Sequence, residues 1–438
     1  MDNIIIERIK TLAKEKEHEL IKCRRDLHKY PETGWTEFRT SSIAQKRMAE
    51  LGYTITMGDK ANNKDYMMGV PSEKILKENQ QRAVSQGADA ALVEKMTHGY
   101  TGFWADMKFS DDGPYLAFRF DMDSNDVTET ADENHRPNKE NFSSVNNGAM
   151  HACGHDAHVS LGLAAAEIIA NIKDSLKGSI RFIFQPAEEG LRGAMPMIKA
   201  GACNGITHII GIHIGFQAND SHTIICGADK FLASTKFDVT FQGKQAHAGA
   251  YPEDGRNALL AACNAALNLH AVSRNGKGAT RINVGRLTAG EGRNIIPAKA
   301  ELIMETRGET SQLNEYMVEE CRRIIEASAL MEGCSYTIKT AGGSSSGQSS
   351  REMIEYVKEA VKYVPEYKKV IENVSFGAGE DYASIMSCVQ ENGGIGTYIQ
   401  AGIDRYAGHH NDYFDFDEKN LVPALNTAAI SAYLILKK

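Results

Sequence analysis

The sequence lacks the features that mark secreted and membrane proteins. Its eight cysteines are scattered and include no C-x-x-C pair, a pattern typical of a reducing compartment rather than of a disulfide framework. No stretch approaches the roughly eighteen apolar residues that a membrane-spanning helix needs. The opening segment, MDNIIIERIKTLAKEKEHEL, is charged and amphipathic and has no apolar core of the kind found in signal peptides. We therefore expect a cytoplasmic protein with no membrane partner.

An excess of positive charge is also absent. The 49 basic and 57 acidic residues give a formal charge of -8 with mixed signs, which argues against binding to nucleic acid or to an anionic membrane surface. The sequence has no G-x-S-x-G elbow and no Walker loop. HELIK at 18–22 carries Lys22 where the H-E-x-x-H zinc motif requires histidine. The length of 438 residues, 42% of them hydrophobic, is typical of a globular protein with two or three domains.

Short apolar runs typical of buried strands alternate with helical patterns such as residues 157–172. This alternation predicts an α/β fold with a mostly parallel sheet covered by helices. Ligands of such sheets gather outside the carboxyl ends of the strands, where this sequence concentrates acids and histidines. The runs are YLAFRFDMD (115–123), SIRFIFQ (179–185), HIIGIHI (208–214) and GTYIQAG (396–402).

Residues 230–343 have a different pattern, with the order β-α-β-β-α-β of a ferredoxin-like α+β domain. Their first strand, KFDVTFQG, alternates strictly between apolar and polar residues, and GGSSSG at 342–347 is typical of a flexible linker. We expect a small domain inserted into a larger one formed by residues 1–229 and 344–438. Residues 58–100 are polar and helix-prone, and we expect them to form an excursion on the larger domain.

The segment MHACGHDAHV (150–159) combines three histidines, a cysteine and an aspartate. His151, Cys153 and His155 alternate, so an extended segment would bring them to one side. The helical pattern begins near Asp156, which suits an N-cap or a first-turn acid. The segment therefore predicts a loop that enters a helix with Cys153 and His155 at its mouth. A thiol nucleophile formed by these two residues is the alternative, but it leaves the other acids and histidines without a role.

Paired carboxylates, Glu188 and Glu189, follow a predicted strand directly in FQPAEEG. Adjacent acids repel each other unless cations compensate them. One of the pair can bind a metal ion while its neighbour acts as general base on water. His213 in IIGIHIGF and the two histidines of AGHHNDYF (407–414) are weak signals individually. Together the four segments offer thiolate, imidazole and carboxylate ligands for two divalent ions.

Several segments match one known family: MHACGHDAHVSLGLA, IFQPAEEGLRGAMPMI, GIHIG, AHAGAYPEDGRNAL and GRNIIPAKAELIMETRG. Through them the chain resembles the co-catalytic metallohydrolases that include carboxypeptidase G, aminoacylase and hippurate hydrolase. RRDLHKYPETGWTEFRT (24–40) resembles the N-terminal signature of the amidohydrolase branch. The resemblance covers nearly the whole chain. It implies a zinc-peptidase-like catalytic domain with two metal ions, and an inserted domain that acts as lid and dimerisation surface.

The resemblance also implies a ligand set and a general acid/base. Glu188 would exchange protons with water and with the departing amine. An aspartate after the first sheet strand, Asp121 or Asp123, would support the ligands without binding metal. The implied metal ligands are Cys153, His155, Glu189, His213 and His410, with His409 as a weaker candidate for the last position.

Further residues of the inserted domain would contact the substrate. His247 of QGKQAHAGAYP resembles the histidine that reaches the site of a neighbouring protomer and helps to hold the oxyanion. Asn294 of GRNIIP resembles a residue that binds the carboxylate of the substrate. Arg293 and Arg307 are its candidate helpers.

The implied reaction is hydrolysis of the amide bond of an N-acyl amino acid, in particular an aroyl-glutamate such as p-aminobenzoyl-glutamate. The implied cofactors are two divalent metal ions, manganese or zinc. A thiolate ligand suits zinc, whereas manganese, with which the branch is often active, prefers oxygen and imidazole. We expect a homodimer, and participation of a second, homologous kind of chain is an alternative that the resemblance leaves open. The alternatives are an aminoacylase, hippurate-type hydrolase or peptidase, and a protein that works only beside such a partner.

Overall fold

The computed structural model describes residues 2–438. Its helices are α1 Asp2–Glu15, α2 Glu17–Lys29, α3 Phe38–Glu50, α4 Glu73–Ser85, α5 Ala90–Lys95, α6 Arg136–Lys139, α7 His155–Asn171, α8 Ala194–Ala200, α9 Ala258–His270, α10 Ser311–Met331, α11 Arg351–Val361, α12 Tyr382–Glu391 and α13 Leu421–Leu436. Its strands are β1 Thr54–Thr56, β2 Phe103–Lys108, β3 Tyr115–Asp121, β4 Ser179–Gln185, β5 His208–Ile214, β6 Thr223–Ile225, β7 Ala228–Asp229, β8 Ala233–Gln242, β9 Thr280–Ala289, β10 Lys299–Gly308, β11 Ser335–Ser344, β12 Lys369–Ile371, β13 Val374–Ser375 and β14 Ile395–Ala401. Each helix of the described residues is too short or too polar to cross a lipid bilayer.

The larger of two compact units comprises Met1–Asp229, Gln348–Ser375 and Ser384–Lys438. Its eight-stranded sheet has the order β1-β2-β4-β3-β5-β14-β6-β12. The four central strands β4, β3, β5 and β14 run parallel to one another, and β1 and β2 are antiparallel at one edge. The predicted α/β fold with a mostly parallel sheet is therefore confirmed.

The central strands are apolar on both faces. In β3, β4, β5 and β14 every residue after the first is buried, as expected for strands covered by helices on both sides. The rings of Phe118 and Phe182 stack across β3 and β4 with centroids 5.7 Å apart. Helix α7 packs against β3 and also contacts α2 and α13. This packing fixes the positions of the carboxyl ends of the strands.

Residues 58–100 fold onto the larger unit as α4, α5 and short turns. The indole Nε1 of Trp35 donates a hydrogen bond of 2.7 Å to the carbonyl of Met68. Five residues of the excursion form a small apolar core with Phe38 of α3: Leu76, Ala83, Ala88, Val93 and Met96.

The smaller unit comprises Lys230–Gly347 and Phe376–Ala383. Its four-stranded antiparallel sheet has the order β11-β8-β10-β9, and α9 and α10 contact the sheet and each other. Alternate residues of β8 and β10, among them Phe237, Val239 and Leu302, form a core with these helices. The chain order β8-α9-β9-β10-α10-β11 is the predicted β-α-β-β-α-β order.

The segment Phe376–Ala383 was not expected in the smaller unit. Its backbone joins residues 230–232, because the Leu232 N–H donates to the carbonyl of Ala378 at 3.0 Å. The ring of Phe376 stacks on that of Phe231 with centroids 4.5 Å apart. The spacing of residues in the sequence does not predict that a segment so far along the chain belongs to the smaller unit.

A buried ionic network ties α2 to α7 and to the segment after β14. The guanidinium of Arg24 is fully buried and lies 2.9 Å from Asp156, 3.0 Å from Asp415 and 3.2 Å from Glu418. His28 Nδ1 lies 2.8 Å from Asp156. Although burial opposes protonation, hydrogen bonds to Asp156 and to a second carboxylate raise the pKa of His28 to about 9. Elements distant in sequence are thus held together by charge pairs.

We expect Arg24→Ala to lower the free energy of unfolding by about 3–5 kcal/mol, because it leaves buried carboxylates uncompensated. Denaturant titration measures this change. Arg25→Ala is the matched control, since Arg25 also binds Glu418 but its side chain is 30% exposed, and we expect it to cost less than about 1 kcal/mol. Equal effects of the two variants would contradict the role of the buried network.

Candidate metal centre

The carboxyl ends of the central strands bring acids and histidines to one edge of the sheet. Asp123 follows β3, and Glu188 and Glu189 follow β4. His213 is the penultimate residue of β5, and His410 lies in the loop after β14. Because the four strands are parallel, these residues meet at the edge where ligands of α/β sheets bind.

Cys153 and His155 enter the same site from the start of α7. The helix begins at His155, directly after Gly154, whose φ of +89° is left-handed. A Cβ at position 154 would lie 2.6 Å from the Cδ1 of Ile214, so this close approach requires glycine. Asp156 occupies the first turn, one of the two positions expected from the sequence.

The candidate ligand atoms converge. Cys153 Sγ lies 3.4 Å from His213 Nε2, and His410 Nε2 lies 3.3 Å from Glu189 Oε2. His155 Nε2 lies 3.8 Å from Glu189 Oε1. Three sets of donor atoms each lie within 4.8 Å of one another: Cys153–His155–His213, Cys153–Glu189–His410 and His155–Glu188–Glu189. The five residues implied as ligands and Glu188 therefore form one cluster.

These distances fit a bound divalent cation. Ligands about 2.0–2.3 Å from a tetrahedral ion lie about 3.3–3.8 Å from one another, which is the range found here. His155 Nε2 and Glu189 Oε1 are buried without a hydrogen-bond partner. Buried polar atoms without a partner are costly, and coordination of a cation would satisfy both.

Hydrogen bonds fix the orientation of two imidazoles. His155 Nδ1 donates to the carbonyl of Asp123 at 2.8 Å, and His213 Nδ1 donates to the carbonyl of Ile214 at 2.7 Å. A carbonyl can only accept, so the proton of each ring must be on Nδ1. In the neutral form of each ring, Nε2 therefore has the lone pair and directs it into the cluster, the state that a metal ligand needs.

The carboxylate of Asp123 holds the loop that carries the paired acids. Its two oxygens accept the backbone N–H groups of Glu188 at 2.9 Å and of Glu189 at 3.0 Å. The preceding Ala187 has a left-handed φ of +51°, and its N–H donates to Glu37 Oε1 at 2.9 Å. Burial and the nearby Asp123 raise the pKa of Glu37 to about 8. The buried side chains of Asp123 and Glu37 thus hold residues 187–189 in a strained backbone conformation.

Asp121 has a different environment from Asp123. It accepts a hydrogen bond of 2.6 Å from His158 Nδ1 and pairs with the buried Arg119. Burial alone would raise the pKa of Asp121, but His155 and Arg119 hold it well below its usual range. His158 Nε2 accepts the N–H of Ile214 at 3.0 Å, so this group fixes the strand end next to His213.

His158 was not predicted to have a role, although a signal existed. It follows His155 by three positions in α7 and therefore lies on the same face of the helix. Of the remaining histidines, His151 is buried and stands outside the three ligand sets. His409 Nε2 lies 3.3 Å from the carbonyl of Ile214. The structure thus brings His410, rather than His409, within reach of the acids.

The other candidate residues belong to the smaller unit. His247 and Asn294 lie in adjacent exposed loops, joined by a hydrogen bond of 3.0 Å from the Ala248 N–H to the carbonyl of Asn294. His247 Nδ1 accepts the N–H groups of the two residues at 249 and 250, at 3.1 and 3.0 Å. Its proton is therefore on Nε2. Arg293 is exposed beside Asn294, whereas Arg307 pairs with Glu305 at 2.9 Å.

A set of thiol, imidazole and carboxylate groups at the carboxyl edge of a parallel sheet, buried or half-buried except for the exposed His410 and with a second acid beside it, is the arrangement of a metal-dependent hydrolase. The chain belongs to the peptidase family M20/M25/M40, whose model matches residues 117–432. This membership confirms the family resemblance and the prediction of a hydrolase that acts on amide bonds.

Individual relatives are similar over nearly the whole chain. An indole-3-acetyl-aspartic acid hydrolase of Enterobacter agglomerans is 44% identical, over 94% of this chain and 95% of its own. One of the subunits of p-aminobenzoyl-glutamate hydrolase from Escherichia coli is 41% identical, over 93% and 94%. The crystal structure of an aminobenzoyl-glutamate utilization protein from Klebsiella pneumoniae superimposes with a TM-score of 0.83 at 35% identity, covering 96% of both chains.

We expect Asp123→Asn to weaken metal binding about 10–100-fold, because the amide cannot accept both loop N–H groups and the carboxylate loop is released. Competition with a chelating indicator measures the affinity. Asp126→Asn is the control, since Asp126 lies in the same segment but is exposed. Unchanged affinity in Asp123→Asn would show that the loop does not depend on this carboxylate.

Proposed function

We propose that the chain hydrolyses the amide bond between an aromatic acyl group and an acidic amino acid, with p-aminobenzoyl-glutamate as the first candidate substrate. Indole-3-acetyl-aspartate is the second candidate, favoured by the 44% identity to the Enterobacter hydrolase. Both substrates join an aromatic acyl group to a dicarboxylic amino acid. The observation that carries the proposal is the cluster of three ligand sets that includes Glu188.

The proposed cofactors are two divalent ions, manganese or zinc. The proposed ligands are Cys153, His155, Glu189, His213 and His410. Cys153 belongs to two ligand sets, one with His155 and His213 and one with Glu189 and His410, and these five residues together would hold the two ions. Such ions polarise a substrate carbonyl and lower the pKa of water. The thiolate favours zinc, while the imidazole and carboxylate ligands also suit manganese.

Glu188 is the proposed general acid/base. Its Oε2 lies 3.9 Å from His155 Nε2, and the side chain is mostly buried at the edge of the ligand cluster. In the proposed reaction Glu188 accepts a proton from the attacking water and returns it to the departing amine nitrogen. Such proton transfers contribute about two to four orders of magnitude to rates.

The proposed catalytic domain is 1–229 and 344–438, and the proposed lid and dimerisation domain is the insertion of residues 230–343, which forms most of the smaller unit. Leu267, Leu330 and Met331 on its helices are 74%, 80% and 70% exposed, which supports an apolar surface for a second copy. His247, with its proton on Nε2, could donate a hydrogen bond to the oxyanion in the partner's site. Asn294 and Arg293 would bind a substrate carboxylate.

A cytoplasmic location and a second kind of chain in the assembly complete the proposal. All eight cysteines are unpaired, which suits a reducing compartment. The Escherichia coli relative is named as one of the subunits of its hydrolase, so a homologous partner is a candidate for this chain as well. Activity of the purified single chain with added metal would separate a self-sufficient homodimer from a partner-dependent protein.

We expect Glu188→Gln to lower kcat at least about a hundredfold, since the amide cannot accept a proton. The variant should retain the parent metal content, measured by elemental analysis after dialysis. Glu189→Gln is the contrasting variant, in which the metal content itself should fall. Near-normal turnover of Glu188→Gln would remove this residue from the mechanism.

We expect benzoyl-glutamate to be hydrolysed with a kcat/KM at least about tenfold higher than benzoyl-glycine or benzoyl-glutamine. The three compounds share one acyl group and differ only in the side chain of the amino acid, whose carboxylate makes charge-assisted hydrogen bonds that contribute about 1.5–3 kcal/mol. Release of the free amino acid by metal-reconstituted protein is the measurement. Equal rates would favour a hippurate-type hydrolase, and cleavage of acetylated amino acids alone would favour an aminoacylase.

A further inference from the structure

Two cysteines lie together at the opposite edge of the large sheet from the metal centre. Cys203 belongs to the turn between α8 and β5, and Cys388 belongs to α12, the helix before β14. Both elements lead to the amino-terminal ends of central strands, whereas the metal centre lies at the carboxyl ends. Neither residue has a part in the proposed hydrolysis.

Hydrogen bonds define the geometry of this pair. The Cys203 thiol donates to the carbonyl of Ile385 with a distance of 3.8 Å. Ile385 and Cys388 are three positions apart in α12 and therefore lie on one face of the helix. The two thiols are therefore neighbours, and each changes the pKa of the other. Asn392 Nδ2 donates to Cys388 Sγ at 3.8 Å. The sulfur of Cys388 therefore has both Asn392 and Cys203 as neighbours.

A cavity lies next to the pair: Cys203 lines it, and so does Asn392, which contacts Cys388 Sγ. Its volume is about 340 Å³, and it lies between the turn that begins at Cys203 and the turn that contains Asn392. Cys203 is only 3% exposed, while Cys388 is half-buried. Asn204, Thr207 and Asn392 line the cavity with polar groups. The arrangement combines a half-buried cysteine with a buried one next to it.

We propose that Cys203 and Cys388 form a thiol–disulfide exchange site that reacts with low-molecular-weight disulfides and ends as an intramolecular disulfide. The Cys388 thiolate attacks one sulfur of the disulfide RSSR, whose S–S bond breaks and releases one thiolate. Cys203, as a thiolate, then attacks Cys388 in the mixed disulfide and releases the second. The two protons of the cysteines pass to the two RSH products, and RSSR takes up two electrons as the protein disulfide forms.

The electrostatics of the pair assign these roles. Hydrogen bonding from Cys203 to the thiolate lowers the pKa of Cys388 to about 7; burial and the nearby Glu391 oppose this shift, and Lys199 supports it. The thiolate is the nucleophile in disulfide exchange, so a thiol that ionises near neutral pH reacts first. The same hydrogen bond, together with burial, raises the pKa of Cys203. Cys203 therefore suits the second, resolving step.

The direct test is incubation of the full chain with oxidised glutathione at pH 7, followed by peptide mapping without reduction. We expect a cross-link between the tryptic peptides 200–230 and 370–405. The first peptide contains both Cys203 and Cys226, so Cys226→Ser is the matched control and should retain the cross-link. In Cys203→Ala the reaction should stop at a glutathione adduct on Cys388. Absence of the cross-link in the parent protein, or its loss in Cys226→Ser, would overturn the proposal.

A second measurement can contradict the proposal in the parent protein itself, without a substitution at the buried Cys203. Alkylation of Cys388 in the parent protein, followed peptide by peptide against pH, should have its midpoint near 7 because of the hydrogen bond from Cys203. The midpoint should rise by at least about one pH unit in Cys203→Ala, towards the value of an ordinary cysteine near 8.5. Cys263 in α9, which is also half-buried, provides the internal comparison. A Cys388 midpoint equal to that of Cys263 in the parent protein would contradict the proposed nucleophile.

Discussion

Three hydrogen bonds to Asp123 fix the geometry on which the metal centre depends. Its carboxylate accepts the N–H groups of Glu188 and Glu189, and its carbonyl accepts the Nδ1 proton of His155. One residue at a strand end therefore orients an imidazole from α7 and two carboxylates from the loop after β4. Because Asp123 is buried, it cannot exchange these bonds for water. The positions of His155, Glu188 and Glu189 are therefore coupled to the position of Asp123.

This rigidity is obtained at a cost in backbone conformation. Ala187, Leu191, Phe216 and His410 have left-handed φ values of +51°, +56°, +60° and +62°, each of which costs of the order of 1 kcal/mol or more for a residue with a side chain. All four lie in loops that carry or flank candidate ligands. Strain of this kind persists only where the surroundings determine the conformation. Here the apolar central strands and the ionic contacts of Arg24 supply that support.

The sequence predicts the parts of the site that lie close together in the chain. Two-sided apolar strands indicate a parallel sheet, and the acids and histidines at their ends indicate the edge where a ligand binds. The choice of Glu189 and His410 within their pairs came from the family resemblance, and the structure brings both residues into one cluster with Cys153, His155 and His213. The features that the sequence could not predict depend on contacts between distant segments. The pairing of Arg24 with Asp415 and the inclusion of 376–383 in the smaller unit have no local signal in the sequence.

The choice between Asp121 and Asp123 was open for a related reason, because residues two positions apart in a strand share a face. Only their partners distinguish them, and a sequence does not show which N–H groups a carboxylate accepts.

The two cysteine environments show how the same fold controls a thiol in opposite ways. Burial and the nearby Glu189 raise the pKa of Cys153 well above its usual value, so this sulfur holds its proton until a cation replaces it. Contacts with Asp121 and other acceptors likewise keep the pKa of His155 raised against the effect of burial. Binding of a cation by these residues must then expel protons, which couples occupancy of the site to pH. Cys388 needs no cation, since a neighbouring thiol favours its thiolate. The two edges of the sheet thus hold one cysteine whose pKa is raised and one whose pKa is lowered.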